Sequence, residues 1–432
     1  AVTISSPATY DNVTVQAGGS LTANAPLTVL GNMTIQSGGV VTHSLRLLAG
    51  VVLSVSDTLS VESGGMIDVN AKGLRGGNNG SIFGEYGEAF DPVTGAIISG
   101  AVGNNSATAG ASYGGTGASS GVSAPTNAAY GLVENPQQLG SGGGRTGSGL
   151  AGGHGGGRIT LAVGTLIVNG TVRANGGNSA STTSGGGGSG GGVKITAGQV
   201  SGAGYILATG GIGNCGGGGR IAIFYDALTL PVTNIQARGG DGTNAVQDAS
   251  AGTVYLKGNA QTYGDLIIDN GNVPSTLVAP LRTALATLRS LTLRNHGKTS
   301  MSSSNVVALT VELPVWLTSN AAIAVGSGVT LTNLNSTGFD FNVESGSVLT
   351  LNSGSTLEAN ALLLNAGTLN TGTSLSFPNV GEFEMRSSSA LNVSSGGVFN
   401  IGVFDGTTIQ SGTVTIATGG RLSVDSGRAT VI

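Results

Sequence analysis

Cysteine is almost missing. Cys215 is the only one in 432 residues, so no intrachain disulfide can form and a disulfide-stapled scaffold is excluded. Proline is sparse at 10 and there is no Gly-X-Y period, which excludes a collagen-type helix. Charged residues are 9 % of the chain, against about 25 % in ordinary globular proteins, and aromatics are 4 %. With 17 Lys and Arg, 21 Asp and Glu and a net charge of −4, the basic footprint of a nucleic-acid binder is lacking. No run approaches the ~18 consecutive apolar residues of a helical membrane span. Low charge does not mean disorder here: mean hydropathy is +0.23 and Val, Leu and Ile are plentiful.

What is abundant is glycine, 79 residues, far above the usual ~7 %. Between the glycines run short stretches of period-2 alternation. Val13, Val15 and Leu21 alternate with Thr14, Gln16 and Ser20; Leu59, Val61, Ile67 and Val69 repeat the pattern around Gly64 and Gly65. Such runs, broken by Gly, Asn and Ser, predict half-buried strands with tight turns. The expected interior includes Val13, Val15, Ile35, Val61, Ile67, Val69, Ile159, Val168, Ile195, Ile221 and Ile223. One short helix is expected over Leu281–Leu293, where Leu281, Leu285 and Leu288 fit a helical spacing.

Internal repeats decide the architecture. Gly18, Gly38 and Gly64 each open a Gly-Gly pair before a new strand, at spacings of 20 and 26 residues. Gly328, Gly346 and Gly367 begin similar strands at spacings of 18 and 21, and Gly397 and Gly420 continue the series. In the middle, strands starting at Arg158, Val193, Arg220 and Thr253 follow Gly runs at offsets of 35, 27 and 33. A period near 20 residues is that of one turn of a parallel β-helix, whose strands pair with the turns above and below. The expected fold is thus an all-β, right-handed parallel β-helix (β-solenoid). Its expected parts are N-terminal repeats over 1–73, a Gly/Ser-rich lateral insertion over 74–154, Gly-rich repeats over 155–260 and C-terminal repeats over 261–432. The insertion carries Phe83, Tyr86, Phe90, Tyr113 and Tyr130 and is expected to pack back on the repeats. Runs such as Gly185–Gly188 and Gly190–Gly192 are expected as extended polyglycine strands lying side by side, hydrogen-bonded by neighbouring repeats.

The segments IQSGGVV (35–41), VESGGMIDVNAKG (61–73), VRANGG (172–177) and GGGGSGGGVKI (185–195) resemble the parallel β-helix regions of large bacterial secreted or cell-surface proteins, including autotransporter-like and haemagglutinin-like adhesins. The resemblance covers nearly the whole chain as a repeat grammar. It implies a right-handed parallel β-helix, extracellular display and a structural or adhesive role. The opening AVTISS, without initiator Met or apolar signal region, is the form expected of a secreted chain after signal removal. Asn-x-Ser/Thr triplets at Asn12, Asn32, Asn79, Asn104, Asn169 and Asn392 occur about as often as chance allows in so Asn-, Ser- and Thr-rich a chain.

Signs of chemistry are few. His43, His154 and His296 lie far apart, without sequence-adjacent acidic or Cys partners, and Cys215 sits in a Gly-Asn-Cys-Gly loop with no positioned base. No P-loop, G-x-S-x-G or H-E-x-x-H motif is present. Gly239-Gly240-Asp241-Gly242 half resembles a calcium-binding β-roll repeat, so Asp241 and Asp248, flanking one loop, are the candidate calcium ligands. Arg220, Asp226, Arg238, Asp241, Asp248 and Lys257 form the densest charged patch. Polysaccharide lyases of this fold use such basic residues and carboxylate-held calcium; ion pairing between repeats explains the patch as simply. Glu382 and Glu384 share a strand face and are expected to face solvent. Trp316 and Tyr255 are the candidate sugar-stacking aromatics. The expected function is a non-catalytic extracellular solenoid, a filament subunit or a stalk or adhesin module, with a polysaccharide-binding or polysaccharide-cleaving β-helix as alternative. Expected partners are second copies joined head to tail, neighbouring modules of a longer chain, or a glycan or cell-surface receptor. The ends, Val2-Thr3-Ile4 and Ala429-Thr430-Val431-Ile432, carry no charged cap that would block such joining.

Overall fold

The computed structural model describes residues 1–104, 107–120, 123–181, 184–333, 339–377, 381–423 and 430–431. Among them the chain is all β-strand, turn and irregular backbone, with two single-turn 3-10 segments, Val232–Asn234 and Ile401–Val403, as the only helical elements. It divides into two compact units, one of Ala1–Thr262 with Asp269–Ala279, the other of Tyr263–Ile268 with Pro280–Ile432.

In the first unit nearly all pairing is parallel, between a strand and its equivalent one repeat later. β1 (Val2–Ile4), β4 (Ser20–Ala23), β7 (Val40–Thr42), β9 (Met66–Asp68), β13 (Thr171–Arg173), β15 (Tyr205–Leu207) and β17 (Ile235–Gln236) form one seven-stranded sheet in that order. A second ladder begins with paired short strands. β2 (Ala8–Tyr10) leads to β5 (Leu27–Val29), and β3 (Val13–Val15) to β6 (Met33–Ile35). Both lines meet on one strand of 11 residues, β8 (Val51–Val61), with Leu27 opposite Leu53 and Met33 opposite Leu59. The ladder continues through β12 (Arg158–Val168), β14 (Gly192–Ser201), β16 (Arg220–Leu228) and β18 (Thr253–Gly258). The remaining labels, β10 (Glu88–Phe90) and β11 (Ile97–Ser99), are an antiparallel hairpin within the insertion.

Register stacks like on like. Ile159, Val193, Ile221 and Val254 form one inward column; Leu161, Ile195, Ile223 and Leu256 form the next. All eight are buried. The partner of Arg158 and Arg220 is Gly192, not Val193, so the third strand starts one residue earlier than its Gly run implies. Of the expected interior positions, Val13 is only half-buried. It lies on an edge strand, where no further repeat covers it; its neighbour Met33, one repeat in, is fully buried.

The Gly-Gly pairs have two separate causes. Gly18, Gly38 and Gly64 adopt φ of 71°, 76° and 81°, a region open to Gly without steric cost. In each case the next glycine closes the turn, Gly19, Gly39 and Gly65 donating to the carbonyls of Gln16, Gln36 and Glu62 at 2.8 Å. That second glycine faces the preceding repeat: a Cβ on Gly39 would lie 2.8 Å from the Val15 carbonyl oxygen, and one on Gly65 2.5 Å from that of Ile35.

The second unit repeats the parallel scheme in three ladders. One runs through Lys298–Met301, Ala322–Val325, Val348–Leu351, Thr368–Thr371, Ser389–Val393 and Gly412–Ile416. Another stacks Leu293, Leu317, Val343, Leu364 and Met385 in register, all buried. Phe383 and Phe404 stack at 5.3 Å beside Phe399 to close the interior. No helix forms over Leu281–Leu293. Leu281 donates its N–H to Ser300, and strands Thr287–Leu288 and Ser290–Arg294 take up the rest. Alternation through Leu291 and Leu293 outweighs the helical spacing, because the neighbouring repeats offer ladder partners. Of the C-terminal stretch, Ala429 and Ile432 lie outside the described residues.

Candidate functional site

The first unit's distinctive feature is its glycine bundle. The runs following Val69, Ala174, Leu207 and Ala237, together with parts of the insertion, are extended but join no strand ladder. Their hydrogen bonds leave with a period of three. Gly186 and Ser189 donate to Gly144 and Ser141 of the insertion; Gly187 and Gly190 to Asn214 and Gly217; Gly188 and Gly191 to Gly177 and Ala174. Three residues per turn without internal bonds is the pattern of a polyproline-II helix, here with each face bonded to a different neighbour. At the glycines themselves no face has room for a side chain. A Cβ on Gly186 would sit 2.0 Å from the Ala109 oxygen, on Gly188 1.9 Å from the His154 oxygen, and on Gly190 2.2 Å from the Ala208 oxygen. Neighbouring repeats therefore supply the hydrogen bonds that offset the ordering entropy of glycine.

Polar contacts lock the insertion into this bundle. The Glu88 carboxylate is wholly buried, accepts Arg46 Nε at 2.7 Å, and also accepts the backbone N–H of Arg75 and of Ile82 at 3.1 and 3.3 Å. Glu85 pairs with Arg145 at 2.5 Å. Arg220 is fully buried against the ring of Tyr113, 5.7 Å from its centroid, and donates to the Tyr130 carbonyl oxygen and to Thr253 Oγ1. Gly192, between Arg158 and Arg220 in the ladder, leaves the gap that Tyr113 and the Pro136 and Gln138 carbonyls fill. Of the insertion's five aromatics, Tyr113 and Tyr130 are buried, Phe83 and Phe90 half-buried and Tyr86 exposed.

Two imidazoles stand where the insertion leaves and rejoins the repeats. His43 is fully buried; its Nδ1 faces the Ser44 carbonyl oxygen at 2.8 Å and its Nε2 accepts the Arg158 N–H at 3.3 Å. Burial lowers its pKa to about 4. His154 Nδ1 accepts the Gly76 N–H at 3.0 Å, and burial together with Arg75 lowers its pKa too. Nothing gathers the three histidines: His296 belongs to the other unit, in a turn at φ 64°.

The other sequence candidates fall as follows. Asp241 is exposed and Asp248 buried, at the two ends of one loop, where Asp248 Oδ1 accepts the Gly242 N–H at 2.8 Å. These two are the carboxylates the loop carries, and Asp248 Oδ1 is already engaged by the loop's own backbone. No group of three or more His, Cys, Asp or Glu placed to hold a metal occurs among the described residues. Arg220 is turned into the insertion, Asp226 accepts from Asn259 Nδ2 at 2.7 Å, and Arg238 is exposed. Cys215 is buried, and its thiol is pushed up to about 12 by that burial. Glu382 faces solvent, but Glu384 does not: it is 9 % exposed, gripped by Arg386 through two bonds of 2.6 Å and by Gln410 Nε2 at 2.6 Å. Pairing with a cation on its own strand is what lets it turn under cover. Tyr255 is buried against Phe224, whereas Trp316 is 42 % exposed.

Among the described residues, β1, β2 and β3 each pair on one side only, with β4, β5 and β6. Beside them opens a cleft of about 380 Å³ whose lining mixes Val2, Ile4 and Val13 with polar Asn12, Thr14 and Gln16. Sequence reasoning missed Glu88, Arg145 and the period of three; the unbroken Gly runs flanking Ser189 signalled close packing but not that period. No protein-family model, curated protein or solved structure matches this chain.

Proposed function

We propose that this chain is an extracellular, non-catalytic scaffold, a right-handed parallel β-helix serving as filament subunit or as stalk or adhesin module. The observation that carries this reading is the open first repeat. Among the described residues three strands present unpaired outer edges beside a cleft of mixed lining, and an edge of that kind is completed by another strand layer. A further repeat, from a second copy or an adjoining module, would extend all three ladders at once and cover Val13. Low charge supports stacking, since little repulsion opposes it. The buried charges support a scaffold as well: Glu88, Arg145 and Arg220 hold the insertion in place rather than face a cleft.

Electron microscopy and light scattering of the purified chain test the proposal. Linear assemblies that grow with concentration, and disappear when Ala1–Ser6 is deleted, are expected. Monomers at all concentrations, or assemblies unchanged by the deletion, would contradict joining through this edge.

A further inference from the structure

We infer that His43 and His154 form an acid-sensitive latch at the neck of the 74–154 insertion, closed by two neutral imidazoles and opened when both take up protons.

The neck consists of two antiparallel-running stretches of the glycine bundle, 73–77 going out and 152–158 coming back. They are tied by Gly73 to Gly155, Gly155 to Leu74 and Gly152 to Gly77 backbone bonds. Each histidine adds a bond that only an unprotonated nitrogen can accept. His43 Nε2 takes the N–H of Arg158, where the return stretch enters its strand, and His154 Nδ1 takes the N–H of Gly76 on the outgoing stretch. A protonated imidazole has donors on both nitrogens, so each bond would become a donor facing a donor. The His43 ring is packed against Gly157, where a Cβ would lie 2.4 Å from Nε2.

The surrounding charges work in the same direction. His43 faces Lys72 and lies against the start of Arg158. His154 faces Lys72 and Arg75; the one carboxylate toward it is Glu88, which Arg46 already neutralises. An imidazolium at either place would meet mainly positive neighbours, fully buried at His43 and half-buried at His154. His43 thus stays neutral in the closed form at a pH where free histidine is half protonated, and His154 is shifted in the same direction. Acidification below about 6.5 shifts the balance toward an open neck.

The test is hydrogen exchange of peptides covering 73–77 and 152–158, corrected for the intrinsic rate, at pH 7 and pH 4. Protection there should fall about 100-fold, as expected when a shift of two or more pKa units is coupled to opening. The variant His43→Gln with His154→Asn keeps an acceptor oxygen near each nitrogen's place but cannot titrate, and should lose most of the acid effect. Unchanged protection in the native protein, or an equal fall in the variant, would overturn the latch. If the double variant does not fold, the imidazole chemical shifts of the native protein decide: a neutral His43 ring at pH 5.5 with His154 titrating below 6.5 supports the latch, and ordinary titration of both near 6.5 refutes it.

Discussion

Replacing Gly218 by Ala adds one methyl group at a position where the bundle leaves none. The Cβ would lie 2.0 Å from the Ala237 carbonyl oxygen and 2.4 Å from the Gly252 nitrogen. Ordinary contact needs roughly 3.5–4 Å, so backbone on that side must retreat by more than 1 Å. That backbone is fixed, because Gly252 donates to the same Ala237 oxygen at 2.7 Å and Gly218 itself donates to Ser250 at 3.0 Å. Overpacking costs about 1–3 kcal/mol, and the two hydrogen bonds put at risk are worth about 1 kcal/mol each. A loss of at least ~3 kcal/mol is expected, read by chemical denaturation followed by circular dichroism. Gly406→Ala is the control: the nearest atom to its Cβ is Glu382 Cγ at 3.9 Å, and the change should be neutral or stabilising by up to ~1 kcal/mol. A Gly218→Ala variant within ~1 kcal/mol of the parent would refute the close packing of the bundle.

Gly18→Ala meets nothing within 4 Å but must hold φ of 71°, so denaturation should show a loss of about 1–2 kcal/mol from conformation alone. Glu88→Gln removes a buried charge from Arg46 and should cost about 3 kcal/mol in the same assay. Because burial lowers the His43 pKa to about 4, its contribution is complete above pH 6.5 and falls away as pH drops toward 4. It amounts to roughly 3 kcal/mol, and denaturation of a His43→Gln variant should show a correspondingly weaker pH dependence. Cys215, with its thiol pushed up to about 12, should resist a disulfide reagent at pH 8 in the native protein and react once unfolded.

Strand content was legible because alternation and Gly punctuation are local properties. Val15, Ile35, Ile159 and Ile223 could be placed inside from their neighbours alone. Val13 could not, since its exposure depends on which repeats flank it. The offset at Val193 arose because Gly192 joins the ladder while looking like the end of a Gly run. The bundle's period of three has no side-chain pattern to reveal it, as every position is glycine or small. The neck was equally hidden: His43 and Arg158 meet across more than a hundred residues of chain, and Glu88 finds Arg46 across 42. Glu384 shows the limit of period-2 reasoning, because a same-strand partner, Arg386, draws it out of solvent.

The most direct measurement is a pair of engineered cysteines. Thr22 and Thr42 are register partners on neighbouring parallel strands, 20 residues apart in sequence. Adjacent strands stand ~4.8 Å apart, within the Cα separation a disulfide accepts. Thr22→Cys with Thr42→Cys should therefore oxidise within the monomer, seen as a 2 Da loss by intact mass spectrometry, whereas Thr22→Cys with Thr34→Cys, on different ladders, should stay reduced. Oxidation of the second pair and not the first would contradict the parallel repeat register on which the whole account stands.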